Sequence, residues 1–215
     1  MSEGGSALPD TAVRETLDRF ARDLVDAAAP VRLEMARPEH EEGVFALRCR
    51  VALERGWVAP GQYPDGLERD DDDRDARFVV GWLSDELVAT ARIVDRGADG
   101  LLPLERIFGV RVPTDVRTLQ VDRVAIASRY RGSRRHALLL GVLARAWQDL
   151  SPTGAQLILG VASPRLLGLY RELGILATPI GRPQLFWGER RHPILVDLPG
   201  TAQRLVARGG PPRLA

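Results

Sequence analysis

The chain has almost no cysteine. Cys49 stands alone among 215 residues, which rules out an internal disulfide framework. Metal sites built on cysteine pairs go with it, and His40, His136 and His192 are scattered without ligand spacing, so no metal site is expected. There is no long apolar run and no signal-peptide pattern, so stable membrane insertion is not expected and a reduced, cytoplasmic setting is. Net charge is missing too. Against 29 acidic residues stand 30 basic ones, giving +1 at pH 7 and no reason to expect nucleic-acid binding. The basic residues are arginine, which reads as compositional bias. Neither Gly-x-x-x-x-Gly-Lys-Ser/Thr nor Gly-x-Gly-x-x-Gly occurs, and there are no internal repeats. The hydrophobic fraction, 45%, is ordinary and suits one sizeable core.

One stretch organises the rest. From Thr118 to Ile126 the sequence alternates like a strand, with Leu119, Val121 and Arg123 on one face and Gln120, Asp122, Val124 and Ile126 on the other. Leu138, Leu139, Val142, Leu143 and Trp147 follow at helical spacing. Between them lies a short basic turn with Arg129, Arg131, Gly132, Ser133, Arg134 and Arg135. The first N–H groups of a helix lack internal partners and its dipole is positive there, so the turn suits a phosphate or pyrophosphate. The alternative is a surface turn with solvated arginines.

Upstream, residues 1–8 are Gly/Ser-rich and expected to be disordered. An apolar stripe of Val13, Leu17, Phe20, Leu24 and Val25 predicts a helix that ends near Pro30. It is an arm, a lid or a contact surface; its sequence does not choose. Residues 31–37 read as a strand and 38–56 as a helix. A polar loop runs from Trp57 to Asp75 and ends in an acidic run; a loop this long is usually functional or mobile. Phe78–Leu83 and Leu87–Val94 form a predicted hairpin, and a short helix is possible at Leu104–Phe108. Downstream come an apolar strand at 156–162, a helix capped by Ser163-Pro164 and closed by Gly174, and strands at 176–180 and 193–198. Phe186 and Trp187 fall in a Gly/Pro loop between those strands. A short helix at most is expected from Gly200. The resulting division is 1–30, 31–200 and 201–215, with a mixed α/β domain in the middle.

Arg129-Tyr130-Arg131-Gly132-Ser133-Arg134 resembles the Arg/Gln-x-x-Gly-x-Gly/Ala signature of the GNAT N-acyltransferase superfamily, with Arg134 in place of a small residue. The element order is similar to that fold as well, with an extra N-terminal helix. An ordered set of pieces resembles one branch, the long-chain N-acyl amino acid synthases and acyl-homoserine-lactone synthases. These pieces are Arg48-Cys49-Arg50-Val51-Ala52, Trp57, Glu68-x-Asp70-x-x-Asp73, Arg92, Leu102-Pro103-Leu104-Glu105…Phe108 and Gln120-x-Asp122-Arg123. They depart from the branch at Ala52, where phenylalanine is usual, at Gln120, where glutamate is usual, and at Asp122, where serine is usual.

The resemblance implies transfer of an acyl group, expected to be a fatty one, from acyl-CoA or from acyl carrier protein to the amine of an amino-acid-like acceptor. No permanently bound cofactor is implied; the acyl-phosphopantetheine carrier is a co-substrate. Tyr170 is the implied general acid, its alternative being a core tyrosine with a satisfied hydroxyl. Gln120 and Asp122 are candidates to act on the amine through a water. Arg48, Arg92 and Arg123 are candidate clamps for an acceptor carboxylate, with Trp57 lining the site. Asp70 and Asp73 either join them or pair with the arginines and pin the loop, while Asp71, Asp72 and Asp75 read as a solvated face. Val124, Ile126 and the turn residues would hold the phosphopantetheine. His136 reads as a surface residue and Cys49 as buried packing. The acceptor's basicity matters. An α-amino group lies about 1.4 kcal/mol from its neutral form at pH 7, a lysine-type amine about 4.6 kcal/mol, so a site without the glutamate favours the former. An acetyl-CoA-dependent acetyltransferase and a non-catalytic acyl or amino-acid sensor remain as alternatives.

Overall fold

The structure, a computed structural model, describes residues 10–97, 100–131 and 135–210. The chain begins with helix α1 (Asp10–Ala27), strand β1 (Arg32–Met35) and helix α2 (Glu41–Glu54). The long polar loop leads into the hairpin of β2 (Arg77–Leu83) and β3 (Glu86–Val94). Short helix α3 (Pro103–Phe108) precedes β4 (Thr118–Ile126), and α4 (Arg135–Leu150) follows it. Then come β5 (Leu157–Ala162), α5 (Pro164–Leu173), β6 (Leu176–Pro179), β7 (Gln184–Phe186), β8 (Glu189–Asp197) and α6 (Leu198–Ala207). The strands form one sheet in the order β1-β2-β3-β4-β5-β8-β6, with β7 paired to β8. Among the described pairings, only β4 and β5 run parallel.

Local sequence accounts for most boundaries. Ser163 accepts a hydrogen bond from the Leu166 N–H at the start of α5, and Gly174, in the left-handed region, ends it. Asp197 caps α6 by accepting from the Gly200 N–H. Where a Gly/Pro loop was expected around Phe186 and Trp187, the chain makes a tight hairpin. Both turn residues have positive φ, 50° at Trp187 and 62° at Gly188, as a two-residue turn between twisted strands requires.

The sheet is covered on both sides. The larger core packs α1, α4, α5 and α6 on one face. The other face carries α2, through Val44, Leu47 and Val51, with α3 set beside it through Leu102, Leu104 and Phe108. Helix α1 is therefore not an appendage. Its stripe of Leu17, Phe20 and Leu24 is buried, the Trp147 indole N–H donates to Asp18, and Gly141 lets α1's end come close. A Cβ at Gly141 would lie 2.6 Å from the Cβ of Ala28. The short helix after Gly200 is α6, and it buries Ala202 and Leu205 in the same core.

The strand register shifts at Gly81/Trp82 in the β2–β3 hairpin and, more consequentially, in β4. Arg92 faces Asp122 but Thr90 faces Ala125, so β4 carries one extra residue there. Arg123 has φ 49°, the left-handed conformation that starts such a bulge. This corrects the face assignment beyond Asp122. Val124 and Ile126 join Leu119 and Val121 on the large-core side, while Arg123 turns to the side of Asp122 and α2.

Phe20→Ala should lower the unfolding free energy by about 3–5 kcal/mol in urea titration, the cost of a buried aromatic removed from a packed core. A loss under about 1 kcal/mol would mean that α1 is a detachable arm.

Candidate active site

The acidic end of the long loop is held by ion pairs. Arg48, on the buried side of α2, donates its two terminal nitrogens to Asp73 at 2.7 and 3.1 Å and its Nε to Glu68. Arg92, on β3, donates to both oxygens of Asp122 at 2.8 and 3.0 Å, to Asp70 at 2.6 Å and to Asp73 at 3.0 Å. Arg123 donates to Asp70 at 2.6 Å and stacks 4.2 Å over the Trp187 ring. Arg48, Arg92, Glu68, Asp73 and Asp122 are all nearly inaccessible to solvent. Burial disfavours the Arg92 cation, but Asp122, Asp70 and Asp73 outweigh that and raise its pKa. Burial likewise works against the Asp70 carboxylate, yet Arg92 and Arg123 hold it below the usual range.

These contacts separate the expected clamps. Arg48 and Arg92 are enclosed by carboxylates of the chain itself, so Asp70 and Asp73 pin the loop. Gln120 is wholly buried: its side-chain oxygen accepts from the Leu104 N–H at 2.9 Å and its amide donates to Asp122 at 2.7 Å. Asp122 thus receives three hydrogen bonds, and it borders the cleft while Gln120 does not. Asp71 and Asp75 are exposed, and Asp72 pairs with Arg106.

The cleft lies where two strands part. The β4–β5 ladder ends at Gln120 and Leu159, and beyond it the β5-facing edge of β4 has no strand partner. A cavity of about 200 Å³ opens there, with Val124 and Ile126 on one side, Gly160 and Val161 on the other, and Tyr170 of α5 in its wall. His136, partly exposed in the first turn of α4, borders it too. Tyr170 is buried, and that burial pushes its phenol well above the ordinary value. Behind it an apolar chamber of about 110 Å³ lies under α1, lined by Leu17, Phe20, Leu24 and Ala144. Val121, Leu143, Ile158, Tyr170 and Val196 border both spaces.

Sequence reasoning missed several residues here. Arg55 and Arg191 stack on Trp57 at 5.2 and 4.9 Å, and Glu189 pairs with both. Trp57 meets Trp187 edge to face at 6.3 Å. Glu68 was part of the quoted acidic motif, whose first position could have marked it. Of the basic turn, Arg129 pairs with Glu86, and Arg131 donates to the Ile126 carbonyl at 2.7 Å and pairs with Glu54. Gly132, Ser133 and Arg134 lie outside the described residues, and so does the Arg135 side chain. Cys49 is buried as expected, and burial, then Glu68, raises its thiol pKa.

No protein-family model and no curated protein matches the chain. Solved structures do. TofI, in a ternary complex with an inhibitor and MTA, is 23% identical at TM-score 0.60, over 78% of this chain and 91% of that one. BjaI, a CoA-dependent acyl-homoserine-lactone synthase with SAM and isopentyl-CoA, is 20% identical at TM-score 0.63, over 86% and 95%. FeeM, an N-acyl amino acid synthase from uncultured soil microbes, is 16% identical at TM-score 0.61, over 83% and 98%. The fold is that of the acyl-homoserine-lactone synthases. In this synthase-like fold β4, at the parting of the strands, borders the chamber under α1 through Val121 and holds the pinned loop through Arg123. Among the described residues, no helix is long and apolar enough to cross a membrane.

Asp73→Ala leaves both buried terminal nitrogens of Arg48 without their acceptor and takes one carboxylate from Arg92, and should cost about 3 kcal/mol of stability by chemical denaturation. A second expectation concerns acid. The folded Asp70 titrates below its unfolded value, so its ionised form adds stability that is complete above about pH 4 and is lost as pH falls through the folded value. Denaturation midpoints should fall on acidification below about pH 4, and less so in Asp70→Asn.

Proposed function

We propose that the chain is an N-acyltransferase moving an acyl group from a phosphopantetheine thioester, on acyl-CoA or acyl carrier protein, to the amine of an amino-acid-like acceptor. The observation that carries this reading is that the strand-parting cleft and the apolar chamber beneath α1 lie side by side and share Tyr170 in their common wall. The edge of β4 at Val124 and Ile126, without a strand partner among the described residues though Arg131 takes the Ile126 carbonyl, suits the amides of a pantetheine arm, as an extended ligand adds to a sheet edge. The thioester then lies near Tyr170 and the acyl tail runs under α1. Such a tail gains from burial of its methylenes, about 0.8 kcal/mol each, which favours a fatty group over acetyl. Gly132, Ser133, Arg134 and Arg135 are assigned to the carrier's phosphate, with Arg129 and Arg131 bordering that turn.

Tyr170 keeps its proton at neutral pH and donates it to the sulfur as the C–S bond breaks and the C–N bond forms; the proton that the nitrogen loses on becoming an amide then restores the phenol, so the products are the amide and the free thiol. The burial that raises the phenol would also raise a thiol leaving in the same cavity, which keeps donor and acceptor matched. Gln120 and Asp122 orient Arg92 and the loop rather than take a proton themselves. Arg48, Arg92, Asp70 and Asp73 serve as the frame, and Arg123 and Trp57 face the acceptor. A cytoplasmic setting fits such donors.

The test incubates the protein with a mixed pool of acyl-carrier-protein and acyl-CoA thioesters and a pool of amines, followed by mass spectrometry of products and assay of free thiol. An N-acyl amino acid should form, and Tyr170→Phe should lower its rate about 10²-fold. Only N-acetyl products would make it an acetyltransferase; bound acyl species without thiol release would make it a sensor. Ala144→Leu, which fills the chamber, should shift the products toward shorter acyl chains while leaving turnover of the shortest donor unchanged.

A further inference from the structure

A small cavity of about 40 Å³ opens off the cleft on the α2 side, and Trp57, Arg123, Val124, Val161 and Arg191 border both. Inside it, hydrogen-bonding capacity is left over. Glu68 is 1% exposed; one of its oxygens takes the Arg48 Nε, and the other has no hydrogen bond among the described residues. Arg123 spends one terminal nitrogen on Asp70, while its Nε and its other terminal nitrogen are buried and without hydrogen bonds. The Arg123 Nε stands 3.7 Å from the idle Glu68 oxygen. Buried polar atoms are rarely left unsatisfied, and here an acceptor and two donors remain idle in one cavity.

The charges are uneven in the same place. In the inner network three guanidiniums, Arg48, Arg92 and Arg123, face four carboxylates, Glu68, Asp70, Asp73 and Asp122, so that side favours one further cation. Toward the mouth the sign reverses. Arg191 shares its one carboxylate partner, Glu189, with Arg55, at 3.3 Å to each. Burial, despite Glu189, and the nearby Arg55 and Arg123 lower the Arg191 pKa, so an anion seated there would relieve a strained cation. One end of the cavity calls for a positive group and the other for a negative one.

We propose that this cavity takes the charged head of a free α-amino acid with an apolar side chain: Glu68 receives the ammonium, and Arg123 with Arg191 receives the carboxylate. Trp57, Trp187 and Phe186 form the apolar wall, and Ala52 leaves room beside it. The inference rests on the acyltransferase reading for the term acceptor, but not for binding itself. It makes Arg191 a specificity-determining residue, and it disfavours acceptors whose remainder is cationic, because Arg55 and Arg191 flank the mouth.

Calorimetric titration of the whole protein, with no acyl donor, tests it. The probes are L-phenylalanine, L-leucine, L-phenylalanine methyl ester and 3-phenylpropionate. Both amino acids should bind, and the ester and the deaminated acid should each bind about tenfold more weakly than phenylalanine. Arg191→Gln should weaken phenylalanine about tenfold and leave the ester unchanged, and Arg191→Lys should recover part of the loss. Glu68→Gln should erase the preference over 3-phenylpropionate. Ester binding equal to the acid, an equal loss for both in Arg191→Gln, or no saturation by either amino acid would overturn the assignment. If phenylalanine binds as described yet no thioester is ever consumed, the acyltransferase reading fails and the pocket stands. If transfer proceeds equally well to phenylalanine and its ester, the reverse holds.

Discussion

The pairing of Arg48 and Arg92 with Asp73 sets the geometry of everything around it. Arg48 comes from a helix, Arg92 from a central strand and Asp73 from a single 3-10 turn, Asp71–Asp73, within the long loop. That loop is too polar to be fixed by burying apolar side chains. It is fixed because each buried guanidinium needs carboxylates and finds them only on the loop and at Asp122. Such pairs add little net stability compared with apolar packing, but breaking one leaves an isolated buried charge. They define one arrangement strongly without making the protein very stable. The cost is met where the helix, the sheet and the loop must agree on a single cavity wall.

The second constraint is the bulge at Arg123. Without the extra residue, Arg123 would point into the large core and Val124 toward the ion pairs. With it, one strand supplies Asp122 and Arg123 to the charged side and then returns Val124 and Ile126 to the apolar side. The same strand also loses its partner β5 just upstream. A charged side, an apolar side and a backbone edge without a strand partner among the described residues therefore come from nine consecutive residues.

Much of this was legible in the sequence. Ser163 and Gly174 mark the ends of α5 because cap chemistry is local. The β2–β3 hairpin and the apolar strand β5 show their periods directly. The acidic motif and the arginines were recognised as a set, since their order along the chain resembles that of the synthases. What was not legible depends on contacts between distant segments. An amphipathic stripe says that α1 buries a face, not that the face lies on α4 and α6. Alternation assumes an unbroken pleat, and nothing local announces a left-handed arginine at 123. The turn at Trp187-Gly188 was hidden because tryptophan seldom adopts positive φ. Glu68 lost its significance among neighbouring acids, because a run of charges does not show which oxygen the fold leaves idle.

The packing of α1 against α6 has a consequence for how the protein is made. Leu17, Phe20 and Leu24 leave the ribosome well before Ala202 and Leu205, which share their core. At ordinary synthesis rates the interval is on the order of tens of seconds. Throughout it, the apolar face of the nascent helix has none of its final neighbours from α6 and must be shielded by provisional contacts or by a chaperone. Slow translation would lengthen that exposure, and the yield of folded protein should be more sensitive to chaperone supply than its finished stability would suggest.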